Sequence, residues 1–431
     1  MFATIPPWLR RMAAGSGLAL AVVCAGGAAR AQDYGDASGK PVTAVVDLRL
    51  TGADGERSWL EGGFGKARFG ADGASGGDGW RVRARGVAAD LVWKPELSWS
   101  VGGTLAVTAQ QGQEHPVDLS EAFLSWRRGP HGAARLSGRL GLFWPPVSLE
   151  HSGPAWSVSE TITPSAINSW IGEEVKMGAA EGTVSLPMGD GRLAATVALF
   201  GFNDTAGTLL AFRGWALHDE KATAFGHQPL PALGTFMQDV QAQRSRPLIE
   251  LDDRPGFYAS LRWSSAGPLK LQAFYYDNRG DPEAVDADLQ WGWRTRFGNI
   301  GAVLQLDQRT RFTSQAMIGS TEMGFLQDGK IWVDTRFRSA FLLATRTIGS
   351  ASSVSGRIEG FGSTGRGSIL AADDSEDGWA ATLAGRHVIG GHVTVLGEIL
   401  HIESMRDARR RDGIAPRQRQ TVIQLAARLA L

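Results

Sequence analysis

The sequence is poor in residues on which several common protein classes depend. Its 431 residues include one cysteine, Cys24, and four tyrosines, and a single cysteine excludes a disulfide-stapled scaffold. Lys+Arg and Asp+Glu are both 44, so no overall charge indicates nucleic-acid binding. The only long apolar run is near the N-terminus, which excludes a bundle of membrane-spanning helices. No phosphate-binding loop, dinucleotide fingerprint, EF-hand or H-E-x-x-H motif occurs, so we expect no cofactor and no metal.

The first 31 residues resemble a secretory signal peptide. Two adjacent arginines precede an apolar stretch, residues 12–27, and Ala-Arg-Ala at residues 29–31 forms an A-x-A cleavage site. We therefore predict a signal peptide at residues 1–31. Its cleavage would remove Cys24 and leave a chain without thiol chemistry. A lone membrane anchor is the alternative.

Most of the remaining chain alternates between apolar and polar residues. The period of two is clear in residues 42–50, 286–297, 331–346 and 421–431, and it indicates strands whose two faces have different surroundings. We count about sixteen such segments (roughly 14 to 18), each near the length that a tilted strand needs to cross a bilayer. The sequence therefore predicts an all-β fold, a transmembrane antiparallel β-barrel at residues 42–431, after a short N-terminal segment at residues 32–41.

Alternation alone does not distinguish a membrane barrel from a soluble β protein. A membrane barrel exposes the apolar face to lipid and the polar face to its lumen, whereas a soluble protein buries the apolar face. The export signal, an alternating segment that reaches residue 431 and tryptophans near segment ends favour the membrane barrel. These tryptophans are Trp59, Trp80, Trp93, Trp126, Trp144, Trp263, Trp293, Trp332 and Trp379. The alternative is an exported soluble all-β binding protein in which they anchor a core.

Two stretches between predicted strands are much longer than ordinary connections, which in a compact fold marks a functional or disordered loop. The first, residues 145–173, has no Lys or Arg. Its acidic residues are Glu150, Glu160 and Glu173, with Glu174 directly after it. The second, residues 216–255, mixes acids and bases and contains a possible short helix near residues 233–243.

The segment GLFWPPVSLEHSGPAWSVSETITPSAINSWIGEEVKMG, residues 141–178, resembles a stretch in bacterial outer-membrane porins of the phosphate-selective O/P-like family. YDNRGDP at residues 276–282 and ELDDRPGFY at residues 250–258 are similar to the same family. The resemblance implies a sixteen-stranded, usually trimeric barrel whose long loops fold inward and narrow the pore. Phosphate-selective members line the lumen with an arginine ladder and a lysine cluster. This chain departs from that pattern because its seven lysines are scattered.

Arginine is the dominant cation, and several arginines share one face of a predicted strand. We predict that the pore is lined by Arg81, Arg83, Arg85, Arg135, Arg139, Arg294, Arg296, Arg336 and Arg338. A guanidinium stays charged and binds anions through a fixed fork of donors, so a row of them offers successive weak anion sites. The alternative is structural pairing with acids on nearby polar positions, such as Asp47 and Asp334.

The acidic stretch at residues 145–173 is our choice for the constriction loop because its charge has one sign. We hypothesise that it faces the arginine wall across the pore and produces a transverse field that orients dipolar or anionic solutes.

An enzyme is the least favoured interpretation. An outer-membrane barrel hydrolase needs a nucleophile next to a base, but the eight histidines show no H-x-x-x-H spacing and no serine stands in a G-x-S-x-G elbow. His151 beside Ser152 does not qualify, because neighbours on an extended chain point apart. The acidic run at residues 373–377 could bind Ca²⁺, although such runs are more often solvated turns.

The sequence therefore predicts a bacterial outer-membrane porin, a passive channel for small hydrophilic solutes with a preference for anions. The expected partners are outer-membrane lipid and lipopolysaccharide, small anionic or polar solutes, and further copies of the chain in a homotrimer, but no nucleic acid. The alternatives are an exported soluble all-β binding protein and an outer-membrane barrel hydrolase.

Overall fold

The structure is a computed structural model that describes residues 41–71, 79–131, 133–369 and 374–431. The predicted signal peptide at residues 1–31 and nearly all of the segment at residues 32–41 lie outside the described residues. No helix within the described ranges is both long and apolar enough to cross a membrane.

Sixteen antiparallel strands form one closed barrel. In chain order they are β1 (Val42–Ala53), β2 (Arg81–Trp93), β3 (Val101–Gln110), β4 (Asp118–His131), β5 (Ala134–Phe143), β6 (Met177–Met188), β7 (Gly191–Gly201), β8 (Gly256–Ser264), β9 (Leu269–Asp277), β10 (Arg294–Gln305), β11 (Thr310–Gln327), β12 (Lys330–Ile348), β13 (Ser352–Gly365), β14 (Glu376–Ile389), β15 (Val393–Arg406) and β16 (Arg417–Ala430). Each strand pairs with its neighbours in sequence, and β1 pairs with β16 from Val45 opposite Ala430 to Ala53 opposite Val422, which closes the barrel. The predicted all-β barrel of about sixteen strands is confirmed.

The two faces of the strands differ as a membrane barrel requires. On β1, Leu48 and Leu50 are exposed on the outer surface, whereas Asp47, Arg49 and Thr51 are buried inside. The outer surface of other strands exposes Leu199, Ile300, Ile318, Ile358 and Leu383 among other apolar side chains. A soluble β protein would bury this face, so the exposed belt contradicts the soluble alternative. The closed barrel with an apolar outer belt fits a location in the bacterial outer membrane.

The two ends of the barrel differ in their connections. The long connections, including residues 54–80, 144–176 and 202–255, all leave from one end, which we name the loop end. Short turns join the strands at the other end, which we name the turn end; β6 and β7, for example, are joined by Gly189 and Asp190.

Three short helices lie in the long loops. They are α1 (Ala166–Glu174) in loop 144–176, and α2 (Thr208–Phe212) and α3 (Met237–Val240) in loop 202–255. The loops of the described ranges also contain two 3₁₀ turns (Trp59–Glu61 and Asp407–Asp412) and two hairpins of very short strands (His151–Gly153 with Ser157–Val158, and Gln228–Pro229 with Arg244–Ser245). The helix α3 lies within the predicted stretch 233–243.

The helix α1 is absent from the prediction because it is buried on all sides, which removes the polar face that marks an amphipathic helix. Its local signal is the N-cap Ser165, whose hydroxyl accepts a hydrogen bond from the Asn168 N–H at 3.4 Å.

The inside of the barrel is not uniformly polar. From β8 to β13 it is lined by Tyr258, Phe274, Phe297, Phe337, Phe341 and Leu343, all buried. These side chains share one hydrophobic cluster with Trp170 and Trp215 from the loops. On β10 and β12 the apolar face therefore points inward near the loop end, the reverse of the predicted orientation, because the inward loops offer it a dry surface for packing.

Two local predictions are wrong for a related reason. Residues 286–293 belong to a loop rather than to a strand, and β10 begins only at Arg294. Trp59, Trp144 and Trp293 are buried inside the molecule, whereas Trp93, Trp126 and Trp379 are exposed on the outer surface as a girdle requires. Alternation of apolar and polar residues, and a tryptophan at the end of the alternating segment, therefore occur where the chain packs under a loop as well as where it contacts lipid.

Candidate functional site

Three loops fold from the loop end into the barrel and meet inside it. Leu217 donates its N–H to the carbonyl of Lys66 at 2.7 Å, which joins loop 202–255 to the buried segment 56–71. Ala222 donates its N–H to the carbonyl of Gly172 at 2.8 Å, which joins loop 202–255 to α1. The predicted inward folding of the long loops is confirmed, and both of them narrow the lumen together with a third loop that the sequence does not single out.

The helix α1 rests against the aromatic side of the barrel. The ring of Trp170 lies 5.3 Å from the rings of Phe297 and Phe337, centroid to centroid, and 6.2 Å from the ring of Trp215. Glu359 on β13 accepts the N–H of Ala166 at 2.7 Å, at the end of the helix where N–H groups lack helical partners. Open space lies on the other side of α1, where the helix faces the opposite wall of the lumen.

A cavity of about 560 Å³ of empty space, part of it open to solvent, lies between α1 and the wall formed by β1, β2 and β16. The wall contributes Asp47, Asp90 and Arg428, loop 144–176 contributes His151, Trp156 and Asn168, and loop 202–255 contributes His218, Asp219, Glu220 and Lys221. We name this cavity the constriction, because it lies between the inward loops and the polar wall of β1, β2 and β16.

Basic and acidic groups pair directly at the constriction. Arg49 donates from Nε to Oδ1 of Asp47 at 2.8 Å and binds Asp219 of loop 202–255. Lys221 donates from Nζ to Oδ1 of Asp90 at 2.8 Å. These pairs fasten loop 202–255 to the strands, and they explain why the loop contains both acids and bases.

Two neighbouring carboxylates of the constriction differ in charge state. Burial opposes ionisation of Asp219, but the guanidinium groups of Arg49 and Arg68 hold its pKa well below the usual range. Arg68 Nη2 lies 2.6 Å from Glu220 Oε2 without hydrogen-bond geometry, and burial raises the pKa of Glu220 to about 7. Glu220 therefore changes its charge near neutral pH inside the constriction.

The contacts of His151 are those of a residue that holds its loop in place. Its ring stacks on Trp156 with 4.4 Å between centroids, and its Nδ1 lies 2.8 Å from Ser148 Oγ. The same Ser148 oxygen accepts the N–H groups of Glu150 and His151. Burial, with the nearby charge of Lys221, lowers the pKa of His151 to about 3. Such a weak base is poorly matched to activating a serine near neutral pH, so this pair does not favour the hydrolase.

The first two glutamates of loop 144–176 are bound to the wall by arginines outside the predicted set. Glu150 Oε1 lies 3.1 Å from Arg357 Nη1 on β13, and Glu160 Oε1 lies 2.9 Å from Arg311 Nη2 on β11. Glu150 and Glu160 therefore meet the wall as direct ion pairs, and the hypothesised transverse field across the pore stays a prediction.

The last two glutamates of the loop hold other loop residues. Glu173 binds Arg213 and lies 2.7 Å from Nε2 of His218. Glu174 accepts the indole N–H of Trp170 at 2.6 Å. Both carboxylates are fully buried, so they serve the packing of α1 on loop 202–255.

The predicted arginines of β2 lie on the inward face of the barrel. Arg83 pairs with Thr51 and Arg85 with Arg49 in the strand register, and Arg81 follows the same parity. Arg83 donates to the carbonyl of Gly70 at 2.9 Å. Their contact with solutes stays a prediction.

The predicted arginines of β5 also point inward. Arg139 donates to both carboxylate oxygens of Glu181 at 2.8 Å and lies 4.0 Å from the ring centroid of Phe143. Arg135, four residues earlier on the same face, is exposed. Arg139 is thus a structural pair, whereas Arg135 remains a candidate for solute contact.

The remaining four predicted arginines, Arg294, Arg296, Arg336 and Arg338, do not line the lumen. Arg296 shares its face of β10 with Ile300, which is exposed on the outer surface. Phe297 and Phe337, on the opposite parity, are buried inside. The prediction assumed that polar residues face the lumen, but here the loops replace lumen water with an apolar surface.

A set of basic side chains, of which the sequence analysis singles out Arg135 alone, lines the lumen at the turn end. Arg127, Arg135, Arg192, Arg262, Lys270, Arg311 and Arg386 share the inward parity of their strands, each within a few residues of a short turn. We name this set the basic ring. The nearby acids Asp190 and Asp307 lie in the turns themselves, whereas Glu160 of loop 144–176 pairs directly with Arg311. Parity counted from each short turn is the signal that could have identified the ring.

The acidic run at residues 373–377 begins at a residue outside the described ones, and its described acids differ in exposure, since Asp377 is mostly exposed. Asp374 and Glu376 are buried, with Asp374 2.9 Å from Arg411 Nη2 and Glu376 2.5 Å from Lys66 Nζ. The Glu376–Lys66 pair ties β14 to the inward segment 56–71, and the Asp374–Arg411 pair joins two connections at the loop end.

Comparison with known proteins shows the fold. No protein-family model matches the sequence, and no curated protein matches it. The outer membrane channel DcaP of Acinetobacter baumannii has a TM-score of 0.54 at 10% identity, over 90% of this chain and 97% of that chain. An anion-selective porin from Comamonas acidovorans has a TM-score of 0.49 at 11% identity, over 90% of this chain and 98% of that chain. The similarity to the Acinetobacter channel shows a shared barrel fold.

Proposed function

We propose that this chain is a bacterial outer-membrane porin, a passive channel through which small hydrophilic solutes diffuse, with a preference for anions. The closed barrel, its apolar outer belt and the cavity beside α1 support a channel. The basic ring supports the anion preference, and it is the observation on which that preference depends.

Electrostatics explains how the basic ring would select. Fixed positive charges around a lumen with low-dielectric walls raise the local concentration of anions. Arginine keeps its charge at any physiological pH, so the preference would not depend on titration of the ring. Several weak sites in succession allow an anion to enter and to leave.

The resemblance of residues 141–178 to phosphate-selective O/P-like porins is compatible with this function. The scattered lysines favour a general preference for small anions over selectivity for phosphate. The resemblance also motivates the further proposal that the barrel assembles as a homotrimer.

The reversal potential of the detergent-purified protein in a planar bilayer under a KCl gradient tests the proposal. We expect anion selectivity for the wild type. The combined variant Arg135→Ala, Arg262→Ala, Lys270→Ala and Arg386→Ala removes four charges from the basic ring, and we expect the anion-to-cation permeability ratio to fall by a factor of about three or more.

The matched control replaces Arg128 and Arg346 by Ala. Both lie at the turn end, but on the outward parity of β4 and β12, so the control should keep the wild-type ratio. A cation-selective wild type would refute the role of the basic ring and leave the channel intact. Protein that stays soluble without detergent and forms no channels would refute the porin itself.

A further inference from the structure

The four arginines that lie outside the lumen form a patch on the outer wall at the loop end. Arg294 and Arg296 come from β10, and Arg336 and Arg338 come from β12. The strand register places Arg296 opposite Ser320 of β11 and Ser320 opposite Arg336. We name these four residues the outer arginine patch.

The patch begins where the apolar belt ends. Ile318, directly opposite Arg338 in the register, is 70% exposed. Tyr275 and Trp379, both exposed, stand on β9 and β14 to either side of the patch at nearly the same level. Exposed aromatic side chains in such positions mark the boundary between the hydrocarbon region and the headgroups.

The spacing of arginines on β12 also places the patch at the boundary between the hydrocarbon region and the headgroups. Arg338 and Arg346 both point outward and bracket Ala340, Leu342 and Ala344. The eight residue steps from Arg338 to Arg346 span about 27 Å along the strand, which a strand tilted by about 40° turns into roughly 20 Å of membrane depth. Long arginine side chains reach further toward the headgroups. The outer arginine patch therefore lies at the headgroup level of one leaflet.

The guanidinium groups of the patch form few hydrogen bonds and ion pairs within the described part of the protein. Arg338 Nη2 lies 3.0 Å from Asp377 Oδ1, with both side chains mostly exposed, and Arg296 donates to Ser320 Oγ at 3.3 Å. In the part of the chain that the structure describes, Arg294 and Arg336 form no ion pair. An exposed ion pair such as Arg338 with Asp377 contributes little stability, so a stronger anionic ligand can replace it.

We propose that the outer arginine patch binds the phosphate groups of lipopolysaccharide, with the acyl chains of the lipid lying on the apolar belt below. Two pairs of guanidinium groups stand two strand spacings apart, or about 10 Å. Each arginine can donate two parallel hydrogen bonds to a phosphate, so the patch suits a headgroup with more than one phosphate. This inference rests on the proposed outer-membrane location, but not on channel activity.

Lipid binding to the delipidated, folded protein in detergent tests the proposal, with native mass spectrometry as the readout. The probes are a lipid A carrying two phosphates and the same lipid after enzymatic dephosphorylation. The wild type should retain the phosphorylated lipid more tightly by a factor of about ten or more, since charge-assisted contacts are lost with the phosphates. The variant Arg294→Ala, Arg296→Ala, Arg336→Ala and Arg338→Ala should lose that difference.

Two further variants keep the test interpretable. Arg417→Ala with Arg419→Ala removes two exposed outward arginines at the loop end of β16 and should leave lipid binding unchanged. Replacement of the four patch arginines by Lys keeps the charge without the fork and should restore part of the preference. Folding is checked by the shift in gel mobility on heating, so a variant that fails to fold is recognised.

Three results would overturn the proposal: equal retention of both lipids by the wild type, undiminished preference in the four-alanine variant, or loss of the native oligomer in that variant with lipid binding intact. The last result would assign the patch to a contact between copies of the chain. Failure of the porin proposal would be visible separately, as absence of channels from protein that still binds the phosphorylated lipid.

Discussion

Single charged residues at the constriction behave differently because their partners differ. Asp219 lies between two guanidinium groups and stays ionised, whereas Glu220 lies beside Arg68 and two acids, Asp219 and Glu173, and burial raises its pKa to about 7. Composition and spacing do not distinguish these two adjacent acids. Their difference depends on Arg49 and Arg68, which reach them from distant parts of the chain.

The substitution Glu220→Gln should weaken the pH dependence of selectivity. Below its raised pKa of about 7 the Glu220 carboxyl is neutral, and above that value it is negative. Raising the pH from 6 to 8 therefore adds about one negative charge to the constriction, and the wild type should lose anion preference. Reversal potentials at both pH values measure the change.

Other buried groups act in the same direction over this range, among them Glu174 and Asp204, because burial raises the pKa of each to about 7. Burial lowers the pKa of Lys66 and of Lys176 to about 7, so both lose positive charge as the pH rises. Glu220→Gln should therefore reduce the pH effect without abolishing it. Glu283→Gln, at an exposed loop position, is the control and should titrate like the wild type. An unchanged pH effect in Glu220→Gln would show that Glu220 does not face the conducting path.

At the level of elements, alternation identifies strands but does not say which face points inward. On β1 the polar face lines the lumen, and on β10 and β12 the apolar face does, near the loop end. The difference arises from α1, because Trp170 offers Phe297 and Phe337 a dry surface. The same burial hides α1 from periodicity analysis, so this unpredicted helix and the inverted strands have a common cause.

The substitution Trp170→Ala tests this role of α1. Removal of a fully buried tryptophan costs about 3–5 kcal/mol through lost contacts and a cavity, and it removes the hydrogen bond to Glu174. We expect α1 to leave the wall, with a larger and noisier single-channel conductance and a lower temperature of barrel unfolding. Trp379→Ala, on the outer surface, should leave the conductance unchanged. Wild-type conductance in Trp170→Ala would show that α1 does not limit the path.

At the level of the whole molecule, the barrel exposes its apolar side chains and buries its charges. That arrangement suits lipid outside and polar contacts inside. Leu342, midway between Arg338 and Arg346 on the outward face of β12, lies near the middle of the proposed membrane crossing.

The substitution Leu342→Arg should impair insertion into lipid vesicles. An arginine on the lipid face near the bilayer midplane costs about 2–4 kcal/mol, whereas an exposed leucine in a soluble protein tolerates such a change within about 0.5 kcal/mol. The folded fraction, measured by the shift in gel mobility on heating, should fall. Ser137→Arg, on the inward face of β5, should insert normally. Equal insertion of both variants would argue against a lipid-facing belt.

The sequence by itself determined the number of strands, their antiparallel closure and the presence of two long loops. These properties depend on the alternation of apolar and polar residues and on the turn residues between strands. Both can be identified from residues that are close together in the sequence. The export signal, the pore-lining role of the inward arginines and the trimer stay predictions.

Only the tertiary structure decided which arginines face inward, where α1 lies and how the loop acids are paired. Glu150 and Arg357 are 207 positions apart, and nothing near either residue indicates the other. The basic ring and the outer arginine patch have the same residue type on the same kind of strand. They differ in location because three loops fill the loop end with an apolar core and leave the turn end to water.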